Sequence, residues 1–339
     1  MSDCKITSFI VHKLIKDQHG QATIATGSQL LQTNPAIQNL VDEIHKKYKT
    51  QSKSFGKFEA NPTEYPLQQY IDTYLLQSGT HDFLAFSHDA LTHLKVIATD
   101  VSFATGGWVV LCQYEANNNL YIVIAIVNES HGVSVNETTY QVSESIYVDL
   151  NKLRHAGRIN IDQWQSGIHD KYVSFLRKGK ETTYFQKYLG CNNIQERKSE
   201  SDKLVRAVKQ FSRTLTTEEK DRIYKLSNDY LCMLANDNRE LDLESFAKHV
   251  FPEKSEELHE FLCSDELELS NGFVPDKASI RSFLKFVAKD KDWQLTFSRD
   301  ALNDFSYDDS SRLLTIEVKN DNAHQILCEE LIHNQDQTP

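Results

Sequence analysis

The sequence has no cysteine pair of the Cys-x-x-Cys kind. Its six cysteines, Cys4, Cys112, Cys191, Cys232, Cys263 and Cys328, are widely scattered. That excludes a zinc ribbon or knuckle and a dense disulfide framework, and reduced thiols of this sort fit a cytoplasmic protein. Long apolar runs are missing too. The longest, Leu120 to Val127, has eight residues, against about 20 for a helix crossing a bilayer, so no membrane partner is expected. Met1 to Leu14 lacks the apolar block of a signal peptide. There is no Walker A loop, no G-x-G-x-x-G and no G-x-S-x-G, so no cofactor is expected. Internal repeats and low-complexity segments are absent. Positive charge is also short: 37 Lys and Arg against 48 Asp and Glu leave a net charge of −11. An anionic polymer must therefore be met by a local basic face, if at all.

What is present is globular. Hydrophobic residues make up 40% of 339, enough for a sizeable core, and the length predicts two domains. The first half mixes the two periodicities. Ile6 to Ile15 reads as a strand. Asn34 and Pro35 form an N-cap and N1 pair ahead of Ile37, Leu40, Val41, Ile44 and Tyr48 at helical spacing. Helices are expected over Leu67 to Leu76 and Asp82 to Ala98. Trp108 to Glu115 and Leu120 to Val127 read as a hairpin turned by Asn117 to Asn119. Further strands are expected at Ile146 to Leu150, Arg158 to Ile161 and Tyr172 to Leu176, then a helix over Tyr184 to Leu189 with Gly190 as its C-cap.

From Thr182 the pattern turns helical: Ser199 to Leu215, then Thr217 to Leu234 with a Thr216/Glu219 capping box, then a helix from Asp242 to Val250 stopped by Pro252. Asp276 caps a further helix, Lys277 to Ala288. Trp293 to Phe297 and Leu313 to Val318 read as strands. The fold class is thus α+β. A mixed α/β domain with an antiparallel sheet spans 1–190, and a mainly helical part with a terminal β-hairpin spans 191–339.

Charge is segregated along the chain. Residues 1–151 carry 9 Lys and Arg against 15 Asp and Glu, residues 152–213 carry 14 against 6, and residues 214–339 carry 14 against 27. The middle block, net +8, is the one stretch suited to phosphate backbones, where counterion release supplies affinity. Arg177, Lys178, Gly179 and Lys180 follow a predicted strand, and Gly179 lets backbone approach a phosphate between three cations. In the helix from Ser199, Leu204, Val205, Val208, Phe211 and Leu215 share one face while Lys203, Arg206, Lys209 and Arg213 take the other. With Lys171 and Lys187 these residues form the expected DNA-binding set.

Two other constellations compete. His81, Asp82, His88, Asp89 and His93 crowd one helical stretch, but without an HExxH spacing they read as surface or capping groups rather than metal ligands. Asp309, Glu317 and Lys319 superficially resemble the carboxylate and Glu-x-Lys set of Mg²⁺-dependent nucleases. Alternation of Leu314, Ile316 and Val318 inward with Thr315, Glu317 and Lys319 outward favours an ordinary hairpin. No catalytic residue and no metal site is expected.

Several blocks together resemble the bacterial nucleoid-associated protein NdpA family. They are Asp82 to Ser87, Gly106 to Leu111, Arg158 to Ile161 with Trp164, Tyr172 to Lys180, Tyr184 to Gly190, Arg281 to Phe286 and Leu313 to Ile316, in that order across nearly the whole chain. The resemblance implies a cytoplasmic protein found with the nucleoid, able to bind double-stranded DNA, and with no established catalytic set. Members often end in a basic tail, whereas this chain has no Lys or Arg beyond Lys319. The Glu317-x-Lys319 pair is not a family feature. The leading expectation is a sequence-tolerant DNA-binding protein, expected as a homodimer. The alternatives are a nucleoid adaptor whose acidic C-terminal third meets a basic protein partner, and a Mg²⁺-dependent nuclease.

Overall fold

Asn117 and Asn118 both adopt positive φ, 50° and 60°, the two-residue turn whose twist matches antiparallel strands. It joins β4 (Gly107–Ala116) to β5 (Asn119–Val127), the centre of the structure. Along β5, Ile122, Ile124 and Ile126 enter one core, while Tyr121, Val123, Ala125 and Val127 enter another. A strand buried on both faces accounts for the unbroken apolar run. The computed structural model describes residues 4–76, 82–153, 155–177, 183–192 and 197–332.

The other N-terminal strands are β1 (Lys5–Ile15), β2 (Thr23–Ala25), β3 (Lys53–Phe58), β6 (Glu129–Val135), β7 (Val142–Val148), β8 (His155–Asn160), β9 (Val173–Leu176) and β10 (Cys191–Asn192). Among the described residues, eight strands form one sheet in the order β10-β3-β9-β8-β5-β4-β1-β2, with antiparallel pairing throughout. Strands β6 and β7 pair only with each other. The helices of this half are α1 (Pro35–Thr50), α2 (Leu67–Leu76), α3 (Phe83–Thr99), α4 (Ile161–Ser166) and α5 (Thr183–Leu189). Phe83, Phe86, Ala90, Leu91 and Leu94 of α3 cover one sheet face with α2 and α5. On the opposite face lies α1, through Ile37, Val41, Ile44 and Tyr48. The Asn34 side chain accepts from Ile37 N at 3.0 Å, so the predicted cap forms.

The second half contains α6 (Arg197–Phe211), α7 (Thr217–Asn236), α8 (Leu243–Val250), α9 (Ser255–Leu262) and α10 (Lys277–Ile280) around their own core of Leu204, Val208, Leu231, Phe246, Leu258 and Phe283. The Thr216/Glu219 capping box is present. The helix expected over Lys277 to Ala288 is shorter than its pattern. Phe283 is drawn fully into the helical core, and the chain leaves α10 through a 3₁₀ turn. It then extends into β11 (Lys285–Lys289), which pairs with β12 (Gln294–Ser298). A second, terminal hairpin joins β13 (Phe305–Asp308) to β14 (Leu313–Ile316), followed by α11 (Asp321–Leu327). The two strands read from the sequence, near 293 and 313, thus belong to different hairpins.

The sheet and the helical body meet across a polar seam. Lys53, 1% exposed, donates to the carbonyls of Tyr48, Lys49 and Cys263 at 2.8, 3.2 and 2.7 Å and pairs with Asp265 at 3.0 Å. Arg158 donates to Asp265 at 2.9 Å, with its guanidinium 4.6 Å from the ring centroids of both Tyr48 and Tyr121. Burial alone opposes charge on Asp265, but the Arg158 guanidinium and then Lys53 hold its carboxyl down, at about 2.

Candidate nucleic-acid interface

Helix α6 presents three exposed cations of the basic block, Arg197, Lys198 and Arg206. Its inner face is pinned by more than apolar packing. Glu200, 1% exposed, pairs with Lys171 and accepts from Ser270 N at 2.8 Å, and Ser201 Oγ accepts from Asp276 N at 2.8 Å. Leu204, Val205, Ala207 and Val208 complete that face. Lys198, Arg206 and Arg213 are exposed on the other side. Lys198 and Arg206 lie on α6, eight residues and about 12 Å of helix apart, and Arg213 stands on the 3₁₀ turn (Ser212–Thr214) that follows it.

The remaining cations of the block stand elsewhere. Lys203 donates to the Glu268 carbonyl at 3.2 Å, and Lys209 to the Ser282 carbonyl at 2.7 Å. Burial, with the Lys171 charge next to it, lowers Lys203 to about 8; burial, with Arg299 nearby, lowers Lys209. Lys171 is occupied by Glu200 and the Glu268 carbonyl. Arg177 pairs with Glu240 at 2.8 Å and lies against Gly272 (φ 87°), where an added Cβ would sit 2.4 Å from its Cζ. The backbone of Arg177 is tied to Ser52 and Asn271. Lys187 stands exposed on α5, away from the seam. Lys178, Gly179 and Lys180 lie outside the described residues. Sequence reading passed over Arg197 and Lys198, both exposed, because they lie between the end of the expected sheet domain at 190 and the helix expected from Ser199. The eight-residue interval from Lys198 to Arg206 was the available signal.

The competing constellations resolve into structural roles. Asp82 caps α3, accepting from Ala85 N at 2.9 Å. His88 Nε2 lies 3.0 Å from the Gly27 carbonyl, and His93, buried rather than on the surface, stacks on Tyr188. His81 lies outside the described residues. Lys319 pairs with Asp304 and, at 3.7 Å, with Glu317, while Asp309 is exposed at the tip of the terminal hairpin. Among the described residues no group of three His, Cys, Asp or Glu is placed to hold a metal ion, and no helix is long and apolar enough to cross a membrane.

Residues 10–323 match the protein family described as Nucleoid-associated protein YejK. The chain belongs to this nucleoid-associated protein family. Its relatives include a nucleoid-associated protein of Azotobacter vinelandii, 29% identical over 317 residues that cover 91% of this chain and 93% of the relative. Another, from Pseudomonas aeruginosa, is 27% identical over 91% of this chain and 92% of its own length. A third, from Metapseudomonas resinovorans, is 27% identical over 92% and 95%. Family membership therefore covers both the sheet half and the helical half, with the basic helix between them included in the match.

Proposed function

We propose that this chain binds double-stranded DNA with little sequence preference, using the exposed cations of α6 and the turn after it. The observation that carries the reading is the division of labour along α6 and the turn after it. Lys203 and Lys209 are tied to carbonyls, and Lys171 to the buried Glu200 carboxylate of the same helix, while Lys198, Arg206 and Arg213 face solvent. Phosphate contacts made by such cations position a duplex without reading its bases. Arg197, also exposed, lies on the same helix, and Lys187, Lys178 and Lys180 are further candidates for phosphate contact. The acidic C-terminal third, net −13 from 214 onward, repels a duplex on balance. A non-catalytic, nucleoid-associated role follows from the same reading, since it needs no reacting group.

The test is a salt titration. The logarithm of DNA affinity should fall linearly with the logarithm of salt concentration, with a slope of about −0.9 for each phosphate neutralised. Three to five contacts correspond to a slope of roughly −3 to −5. An affinity unchanged between low and physiological salt would rule these contacts out. Plasmid left intact with Mg²⁺ and with EDTA alike is the expected companion result, and Mg²⁺-dependent cleavage would favour the nuclease alternative at Asp309, Glu317 and Lys319.

A further inference from the structure

The seam brings together two lysines that are far apart in sequence. Lys171 stands just ahead of β9 and Lys203 lies on α6, yet both aim at one oxygen. The Glu268 carbonyl is 3.1 Å from Lys171 Nζ and 3.2 Å from Lys203 Nζ. The two amines are also close enough to hydrogen-bond to each other. An ammonium has three donors and no acceptor, so that contact requires one of the pair to be neutral. The local anions decide which. Glu200, 1% exposed, gives its carboxylate to Lys171 and to Ser270 N. Lys171 thus keeps a buried counter-ion, and Lys203 is left with a carbonyl and a like charge. The charged groups that face Lys203 are Lys171 from ahead of β9, Glu200 on its own helix and Glu268 from the segment after α9.

A lysine amine is a nucleophile only when it has lost its proton. Burial, then the Lys171 charge, brings Lys203 down to about 8. At about pH 7.5 roughly a quarter of such an amine is neutral, against roughly a thousandth of an ordinary lysine near 10.4. Access separates Lys203 from the other lowered lysines. Lys53 is 1% exposed and closed to reagents, and Lys209 has Arg299 beside it rather than a second amine. Lys203 is only half-buried. Beside the pair lies a cavity of about 50 Å³, lined by Lys171 and Glu268 with Arg158, Asn160 and Gln163. About 10–15 Å³ of such space holds one water. The cavity therefore has room for a short acyl group and none for a bulky carrier.

We infer that Lys203 is an acyl-acceptor site, whose amine takes a short acyl group from an acyl phosphate and becomes an amide. The Nζ lone pair forms the new bond to the acyl carbon. The bond from that carbon to the phosphate oxygen breaks, and its electron pair leaves with the phosphate. The proton shed by Nζ passes to the departing phosphate or to water, and nothing is oxidised or reduced. The amide keeps one N–H for the Glu268 carbonyl and no longer carries the charge that opposed Lys171. Lys198, Arg206 and Arg213 are untouched by the step, so the inference does not depend on DNA binding.

The test treats the full-length chain with acetyl phosphate and follows acetylation of each lysine by mass spectrometry of its peptides. At about pH 7.5 Lys203 is expected to react at least about tenfold faster than the exposed Lys198, Lys225 and Lys254, its lower basicity and partial burial offsetting part of the gain in neutral amine. Its rate should level off above about pH 8, whereas theirs should keep rising toward pH 10. Lys171→Gln removes the neighbouring charge and keeps a donor for Glu200, and should slow Lys203 about tenfold. If melting shows that this variant has lost its fold, the pH profile of the native chain decides. Lys203 acetylated no faster than the exposed lysines, a rate that climbs with theirs to pH 10, or a folded Lys171→Gln variant with an unchanged rate would overturn the assignment.

Discussion

Asp265→Ala is expected to lower the unfolding free energy by about 3–5 kcal/mol, the usual cost of leaving buried charge without its partner. Asp265 is the shared counter-ion of Lys53 and Arg158, 1% and 5% exposed, at the junction of the sheet and the helical body. Its removal leaves two cations in a site where the next charges, Lys171 and Glu200, already satisfy each other. The carbonyls of Tyr48, Lys49 and Cys263 still accept from Lys53, but neutral acceptors do not replace an anion. Urea unfolding followed by circular dichroism measures the loss, and a change below about 1 kcal/mol would show that the seam does not rely on this carboxylate.

Acid should act on the same residue. Asp265 titrates at about 2 in the folded chain, below the ordinary aspartate value near 3.9. A carboxyl held low in the folded state stabilises it above the unfolded pKa, and that contribution is lost as pH falls through the folded pKa. Stability should therefore drop between about pH 4 and pH 2, by roughly 2 kcal/mol from this group. The Asp265→Ala variant should lack that part of the dependence.

The triple variant Lys198→Glu/Arg206→Glu/Arg213→Glu should weaken DNA binding by at least about 100-fold at low salt and flatten the salt dependence by about three contacts' worth of slope. All three side chains are exposed, so the melting temperature should move little. Lys203 and Lys209, their neighbours on the same helix, should behave in the opposite way. Glutamate at either position would set a carboxylate against a carbonyl oxygen, that of Glu268 or Ser282, so thermal stability should fall first. Gel shift and thermal melting on both sets separate a DNA face from a packing face. Full DNA affinity in the triple variant would remove α6 from the interface.

How much of this was legible in advance depended on whether a feature is local. The N-cap at Asn34, the Thr216/Glu219 box and the Asn117–Asn118 turn each close through a few consecutive residues. Their outcomes follow from side-chain chemistry and backbone sterics alone. Strand β3 (Lys53–Phe58) was not legible because two lysines, a serine, a glycine and two phenylalanines do not alternate like a half-buried strand. It is a strand because β9 and β10 flank it and because Lys53 finds Asp265. Residues 285–288 read as a helix because Asp276 caps one convincingly. Tertiary packing of Phe283 ended that helix within two turns.

The sequence by itself determined the α+β class, the hairpin of Trp108 to Val127, the segregation of charge and membership of a nucleoid-associated family. Each is carried by composition, periodicity or ordered motifs. Only the tertiary structure decided which cations of the basic block are free. Lys171, Arg177, Lys203 and Lys209 look equivalent to Arg206 and Arg213 along the chain, yet the former meet Glu200, Glu240 and the carbonyls of Glu268 and Ser282. Except for Glu200, which lies near Lys203 in sequence, those partners come from residues 240–282, far along the chain. The reason is physical: a charge is spent or available according to what folds against it, and local sequence does not encode contacts made across the seam between two cores.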